Sequence, residues 1–155
     1  MLSKPTAYLT AILFSICLLF SQCKTISVFD QYAYTQGTAL KVDAMNIMNK
    51  ATQPYASQMA GIEEVTTRIE KAYEYEKHRP KNLFTVKMWE IVKNPDRNLF
   101  GGFIKRWKEK DTLSATFITE AKIQVGEAFD MIVELESKKI KSDDSKVTSF
   151  FSANQ

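Results

Sequence analysis

Cysteine and histidine are nearly missing from this chain, which holds two of the first and one of the second in 155 residues. Both cysteines, Cys17 and Cys23, precede the body of the sequence, so that body cannot be stapled by disulfides and must rely on a packed apolar core. The lone His78 falls short of the paired Glu-x-x-His ligands of a di-iron bundle, and no Cys-x-x-Cys-His run is present to attach haem covalently. A Ser/His/Asp set would have to recruit that same histidine, and the Gly-x-Ser-x-Gly elbow is absent. Net charge is small as well. The formal value is +3 with Lys4 included, too little for the concentrated basic face that displaces counterions from phosphates, so nucleic acid is not an expected partner.

Charge is absent altogether from Ala7 to Phe20 (AYLTAILFSICLLF), a run preceded by Lys4 and the amino terminus. A positive start followed by a short apolar run is the pattern of a signal peptide. Spanning the hydrocarbon core takes about 20 apolar residues, and Ser21, Gln22 and Lys24 end this run sooner. The ending Leu19-Phe20-Ser21-Gln22-Cys23-Lys24 resembles the lipobox of bacterial lipoproteins, in which the cysteine becomes the lipidated first residue of the mature chain. Ser21 matches the small position two before the cysteine. Phe20 stands where an aliphatic residue is usual, and Gln22 where glycine or alanine is. The resemblance covers only the first 23 residues. It implies lipid on Cys23 and a place on the extracytoplasmic side of a bacterial cell envelope, with the outer membrane as destination because no Asp follows Cys23. Cys17 fits less well, since apolar Leu18, Leu19 and Phe20 come after it. An uncleaved signal anchor and free secretion are the other readings, the second weakened by the lack of an A-x-A-like site.

The expected organisation is a signal peptide over 1–22, a lipid-anchored tether over 23–29, a helical domain over 30–141 and a polar tail over 142–155. Ser27 and Asp30 read as a capping box opening a first helix, with an inner face of Ala33, Gly37, Leu40, Ala44, Ile47, Met48 and Ala51. Those small residues suit close approach of another helix, either within the chain or across a partner seam. Pro54 suits the first turn of a second helix, which runs through Met59, Ile62, Val65, Ile69, Ala72 and Tyr73 until Pro80 stops it. Asn82 is placed to cap a third. The Asn94-Pro95 step breaks that third helix, and Gly101-Gly102 predicts irregular backbone, because glycine costs up to about 1 kcal/mol in a helix interior. Asp111, Thr112 or Ser114 opens the last helix, with Ile118, Ala121, Val125, Ala128, Ile132 and Leu135 on one stripe and a basic end at 138–141. Phe150 and Phe151 have the option of folding back on the core. Only Thr112 to Thr119 has any strand character. The fold class is therefore all-α, an antiparallel four-helix bundle with its third helix broken.

Glu63-Glu64 and Glu74/Glu76 are carboxylate pairs of the kind a glycosidase uses, but lysines interleave with them and they read as a solvated face. The stretch NPDRNLFGGFIKRWKEK carries more. Leu99, Phe100, Phe103, Ile104 and Trp107 share one helical face, and Arg97, Lys105, Arg106, Lys108 and Lys110 crowd the others. Phe100, Phe103, Trp107, Arg97, Lys105, Arg106 and Lys108 thus form a candidate surface for an anionic membrane or a protein partner, although apolar stripes at helical spacing are more often the inner face of a bundle. The functional expectation is a non-catalytic, lipid-anchored envelope module with a protein partner, no metal and no cofactor. The alternative is a ligand-holding bundle whose pocket, lined by Trp89, Phe100, Phe103 and Trp107, takes a small apolar molecule or haem.

Overall fold

Asp30 sets where the first helix begins. Its carboxylate accepts the Ala33 backbone N–H at 2.9 Å, satisfying one of the donors a helix start leaves open, and α1 (Gln31–Asn49) follows. Ser27 does not form the expected capping box: its hydroxyl donates to Asn82 Oδ1 at 3.2 Å instead. The computed structural model describes residues 27–137 and 145–153, so the expected signal peptide, Cys23 and the basic run 138–141 lie outside the described residues. Within them all regular structure is helical, and no strand is present.

The small residues of α1 serve a contact inside the chain. Ala33, Gly37, Leu40, Ala44, Ile47 and Met48 are all buried, and a Cβ added to Gly37 would stand 3.2 Å from the Val133 side chain. A 3-10 turn at Lys50–Thr52 ends α1, and Pro54 introduces a second such turn at Tyr55–Gln58 before α2 (Met59–Lys77) begins. Pro80 closes α2 as its fixed geometry requires, and Lys81 turns the chain in the left-handed region at φ 58°. Helix α3 (Leu83–Lys93) stops at Asn94, whose side chain accepts the Asp96 backbone N–H at 2.8 Å in a local turn. Helix α4 (Phe100–Lys110) ends at Asp111, φ 64°. Ser114, one of three anticipated starts, caps α5 (Ala115–Glu136) by accepting the Phe117 N–H at 3.3 Å. The expected polar tail contains a further helix, α6 (Ser145–Ala153), because Val147 is fully buried and Phe151 packs on Phe84 at a centroid distance of 6.0 Å.

Ion pairs and caps give the helix directions. The start of α1 meets the end of α5 through Asp30 and Glu136, while its far end meets the start of α5 where Leu113 N–H donates to Ala51 O at 2.8 Å. Those two helices are antiparallel. So are α2 and α3, tied by Lys93 to Glu70 at 2.8 Å and by the Tyr73 hydroxyl to Glu90 at 2.9 Å. The core between them is built on Leu40, Met48, Ile69, Trp89, Val125 and Phe129, each worth about 1.5–3 kcal/mol for a side chain taken out of water.

Gly101 and Gly102 do not form the irregular backbone expected of them. Both are helical, in the first turn of α4, and the irregular segment lies ahead of them at 94–99. Carbonyls at the end of α3 and within that segment crowd the glycines: an added Cβ would stand 2.2 Å from Lys93 O at Gly101 and 1.8 Å from Arg97 O at Gly102. Close approach, rather than helix breaking, accounts for the pair. Glycine-to-alanine changes in helices usually stabilise by about 0.5–1 kcal/mol. Gly102→Ala is expected to reverse that sign and lose about 1–3 kcal/mol through overpacking, read by urea unfolding. An unchanged or higher midpoint would refute the close approach.

Candidate functional site

The described charged groups are mostly solvated, but three parts of the chain converge on a buried set at one end of the bundle. Glu76 closes α2, Arg79 and Asn82 flank the turn into α3, and Glu136 ends α5; Glu76, Asn82 and Glu136 are the charged or amide side chains among the buried residues described. Arg79 Nη1 donates to Glu76 Oε2 at 2.7 Å and to Glu136 Oε2 at 2.8 Å, and Nη2 donates to Glu136 Oε1 at 3.0 Å. The guanidinium therefore grips Glu136 as a two-pronged fork, the geometry for which arginine is suited. Asn82 Nδ2 donates to the Glu76 carboxylate and, at 3.1 Å, to the Glu76 carbonyl.

This set also holds the segment that leads into the domain. Arg79 Nη2 donates to Val28 O at 2.8 Å, Ser27 donates to Asn82, and the Asp30 backbone N–H donates to Glu136 Oε1 at 2.5 Å. Asp30 is bound again from the α2 side, where the Tyr75 hydroxyl donates to its second oxygen at 2.8 Å. Burial pushes the Glu76 carboxyl above its ordinary range, with the Arg79 charge opposing that shift. Burial also works against the Arg79 charge, yet hydrogen bonds to Glu136 and the charges of both glutamates outweigh it and raise its pKa. The Ala33 N–H bond, then the Tyr75 bond, lowers Asp30, and the Asp30 bond in turn raises Tyr75. These groups satisfy one another, an arrangement that clamps five pieces of chain and presents no free acid, base or nucleophile.

Glu76 corrects the reading of Glu74/Glu76 as a pair on a solvated face. Glu74 is exposed and bound to Lys77 at 2.9 Å, but Glu76 continues the apolar stripe Ile62, Val65, Ile69 and Ala72 and is only 4% exposed. Its spacing on that stripe, with an arginine three residues on, was the available signal. His78 sits exposed at the α2 C-terminus, as expected from its neighbours Arg79 and Pro80.

The candidate membrane or partner stretch divides in two. Phe100, Phe103 and Trp107 are buried, at 2%, 3% and 0% exposure, so they belong to the core and leave no face for a bilayer. Trp107 is fastened besides: its indole N–H is shared between Gln53 O at 3.0 Å and Asp111 O at 3.1 Å, and Tyr55 meets its ring edge-on. The basic members stay outward. Lys105 pairs with Asp96 at 2.7 Å, Arg106 lies 4.4 Å over the Phe117 ring, Lys108 is exposed and Arg97 is half-buried. Next to them a groove of about 340 Å³ has Ile69, Phe100 and Ile104 as its floor and Lys93, Lys105 and Lys108 at its rim. The four rings assigned to a ligand pocket do not enclose one. Trp89 is 1% exposed and meets Phe129 edge-on, and Phe103 meets Trp107 in the same way.

A wider groove of about 750 Å³ runs between α5 and α6, with Glu127, Asp130, Met131 and Phe150 along it. Among the described residues, no group of three or more His, Cys, Asp or Glu side chains is placed to share a metal ion, and no helix is long and apolar enough to cross a membrane. No protein-family model matches the chain, and comparison with curated proteins and with solved structures finds no match either. The site has to be interpreted from its own geometry.

Proposed function

We propose that the chain is a lipid-anchored cell-envelope protein, acylated at Cys23 on the extracytoplasmic side of the membrane, whose helical domain is a non-catalytic interaction module. The observation that carries this reading is the uncharged run from Ala7 to Phe20 ending at Ser21-Gln22-Cys23. The polar clamp supports it from the other side. If Cys23 carries lipid, only three residues, Lys24, Thr25 and Ile26, separate it from Ser27, a reach of at most about 14 Å, and Ser27 and Val28 are fastened to Asn82 and Arg79. A domain attached in this way is oriented at the bilayer instead of trailing on a long leash. The non-catalytic part of this reading is supported by the buried cluster at the end of the bundle, whose charged groups are bonded to one another. A ligand-holding bundle has less support, since Trp89, Phe100, Phe103 and Trp107 are spent on packing.

Metabolic labelling with a fatty-acid probe tests the anchor. The wild-type chain is expected to take up label and partition with membranes, and Cys23→Ser to lose the label. Label persisting in that variant would refute acylation at Cys23.

A further inference from the structure

Large apolar side chains left in water are unevenly distributed over the described residues. Val42, Met59 and Ile123 are scattered along the helices, but Val28, Phe29, Tyr32, Tyr75 and Leu83 gather at the clamped end. Short contacts join them: Val28 is held by Arg79, Tyr32 and Tyr75 meet ring to ring at 4.8 Å, the Tyr75 hydroxyl donates to Asp30 next to Phe29, and Leu83 follows Asn82 directly. Val28 is 78% exposed and Leu83 62%, although each could be polar at no cost to the core. Exposed Lys81 stands between Pro80 and Asn82 at the same turn.

We infer that this end of the bundle is a docking face for a lipid bilayer carrying anionic headgroups, seated with Val28 and Leu83 toward the acyl boundary. Tyr32 and Tyr75 take the headgroup level, where an apolar ring and a polar hydroxyl are both accommodated, and Lys81 faces the phosphates. The inference rests on the anchor reading for its choice of occupant. A lipid on Cys23 lies within about 14 Å of Ser27, which brings this end and no other against the membrane. Several apolar groups seated at the interface, together with the lipid on Cys23, also supply the two attachments that stable membrane association needs. The face predicted from Phe100, Phe103 and Trp107 is core, and this second surface takes over the role that those residues cannot fill.

The test uses the full chain, processed in membranes and reconstituted into vesicles of phosphatidylethanolamine and phosphatidylglycerol whose acyl chains bear a nitroxide quencher. A fluorescent amino acid replaces Leu83 or Tyr32, with Ile123 as the reference position on the side of the bundle. Quenching is expected to be several-fold stronger at Leu83 and Tyr32 than at Ile123, and to fall at Leu83 when Lys81→Glu is added or phosphatidylglycerol is omitted. Equal quenching at all three positions overturns the inference, as does cross-linking of position 83 to a second copy of the chain in place of lipid. The mass of the amino-terminal peptide is read in the same samples. Acylation without a quenching contrast leaves the anchor and removes the docking face. A contrast without acylation upholds the docking face and removes the anchor.

Discussion

Arg79→Ala is expected to lower the unfolding free energy by about 3–5 kcal/mol at neutral pH, the cost typical of removing one partner from a buried ion cluster. The Arg79 side chain is 10% exposed and pairs with both glutamates, whose side chains are 5% and 4% exposed. Without it two carboxylates face each other in a poorly hydrated pocket and Val28 O loses its donor. The pH dependence has a definite sign. Glu76 is already held above its ordinary range by burial, and loss of the opposing guanidinium raises it further. A carboxyl raised in the folded state binds protons that the unfolded chain does not, so the variant's stability is fully present below the ordinary carboxylate range and declines as pH climbs through the raised value. The deficit relative to wild type should therefore shrink as the pH is brought from neutral to about 5. Urea unfolding of both proteins at the two pH values measures it. A deficit that stays constant would mean that the guanidinium acts through packing alone.

Trp107→Ala is expected to cost a similar amount, about 3–5 kcal/mol, for a different reason. The indole is fully buried, touches Tyr55 and Phe103, and ties the 3-10 turns to the end of α4 through Gln53 O and Asp111 O. Its removal leaves a cavity and takes the indole donor from Gln53 O, while Asp111 O keeps the Tyr55 N–H. Lys108→Ala, one residue along and exposed, should stay within about 0.5 kcal/mol of wild type. Comparing the two by thermal unfolding distinguishes a core tryptophan from an interfacial one. A Trp107→Ala protein with unaltered stability and weakened membrane binding would restore the docking role that burial removes. Equally, lost binding in that variant together with lost stability is evidence for folding only.

Periodicity and proline made most of the fold legible. The inner faces of α1, α2 and α5, the stop at Pro80, the break at Asn94-Pro95 and the cap at Ser114 all follow from local rules that depend on near neighbours in sequence. Features that depend on distant backbone were not legible. Helix propensity says that Gly101-Gly102 should be irregular, because it contains no information about the carbonyls of Lys93 and Arg97 folding over them. The stripe from Phe100 to Trp107 fits a core face better than a docking face by its spacing, and burial decides for the core. The burial of Glu76 and Glu136 is not legible from composition, because charge ordinarily means solvent. Each continues an apolar stripe, and Arg79 is what permits it. Asn82 does stand at the N-cap position of α3, but its side chain makes no cap bond and instead joins Glu76 to Ser27.

The grip of Arg79 on Val28 is through a main-chain oxygen, so it tolerates any side chain at position 28. Its mechanical meaning is broader. Tension applied to the chain ahead of Ser27 cannot peel α1 away one turn at a time, because Ser27, Val28 and Asp30 are bonded to the α2–α3 turn and the end of α5. The load is shared in parallel by those helix ends, in the way a rivet spreads strain over every plate it joins.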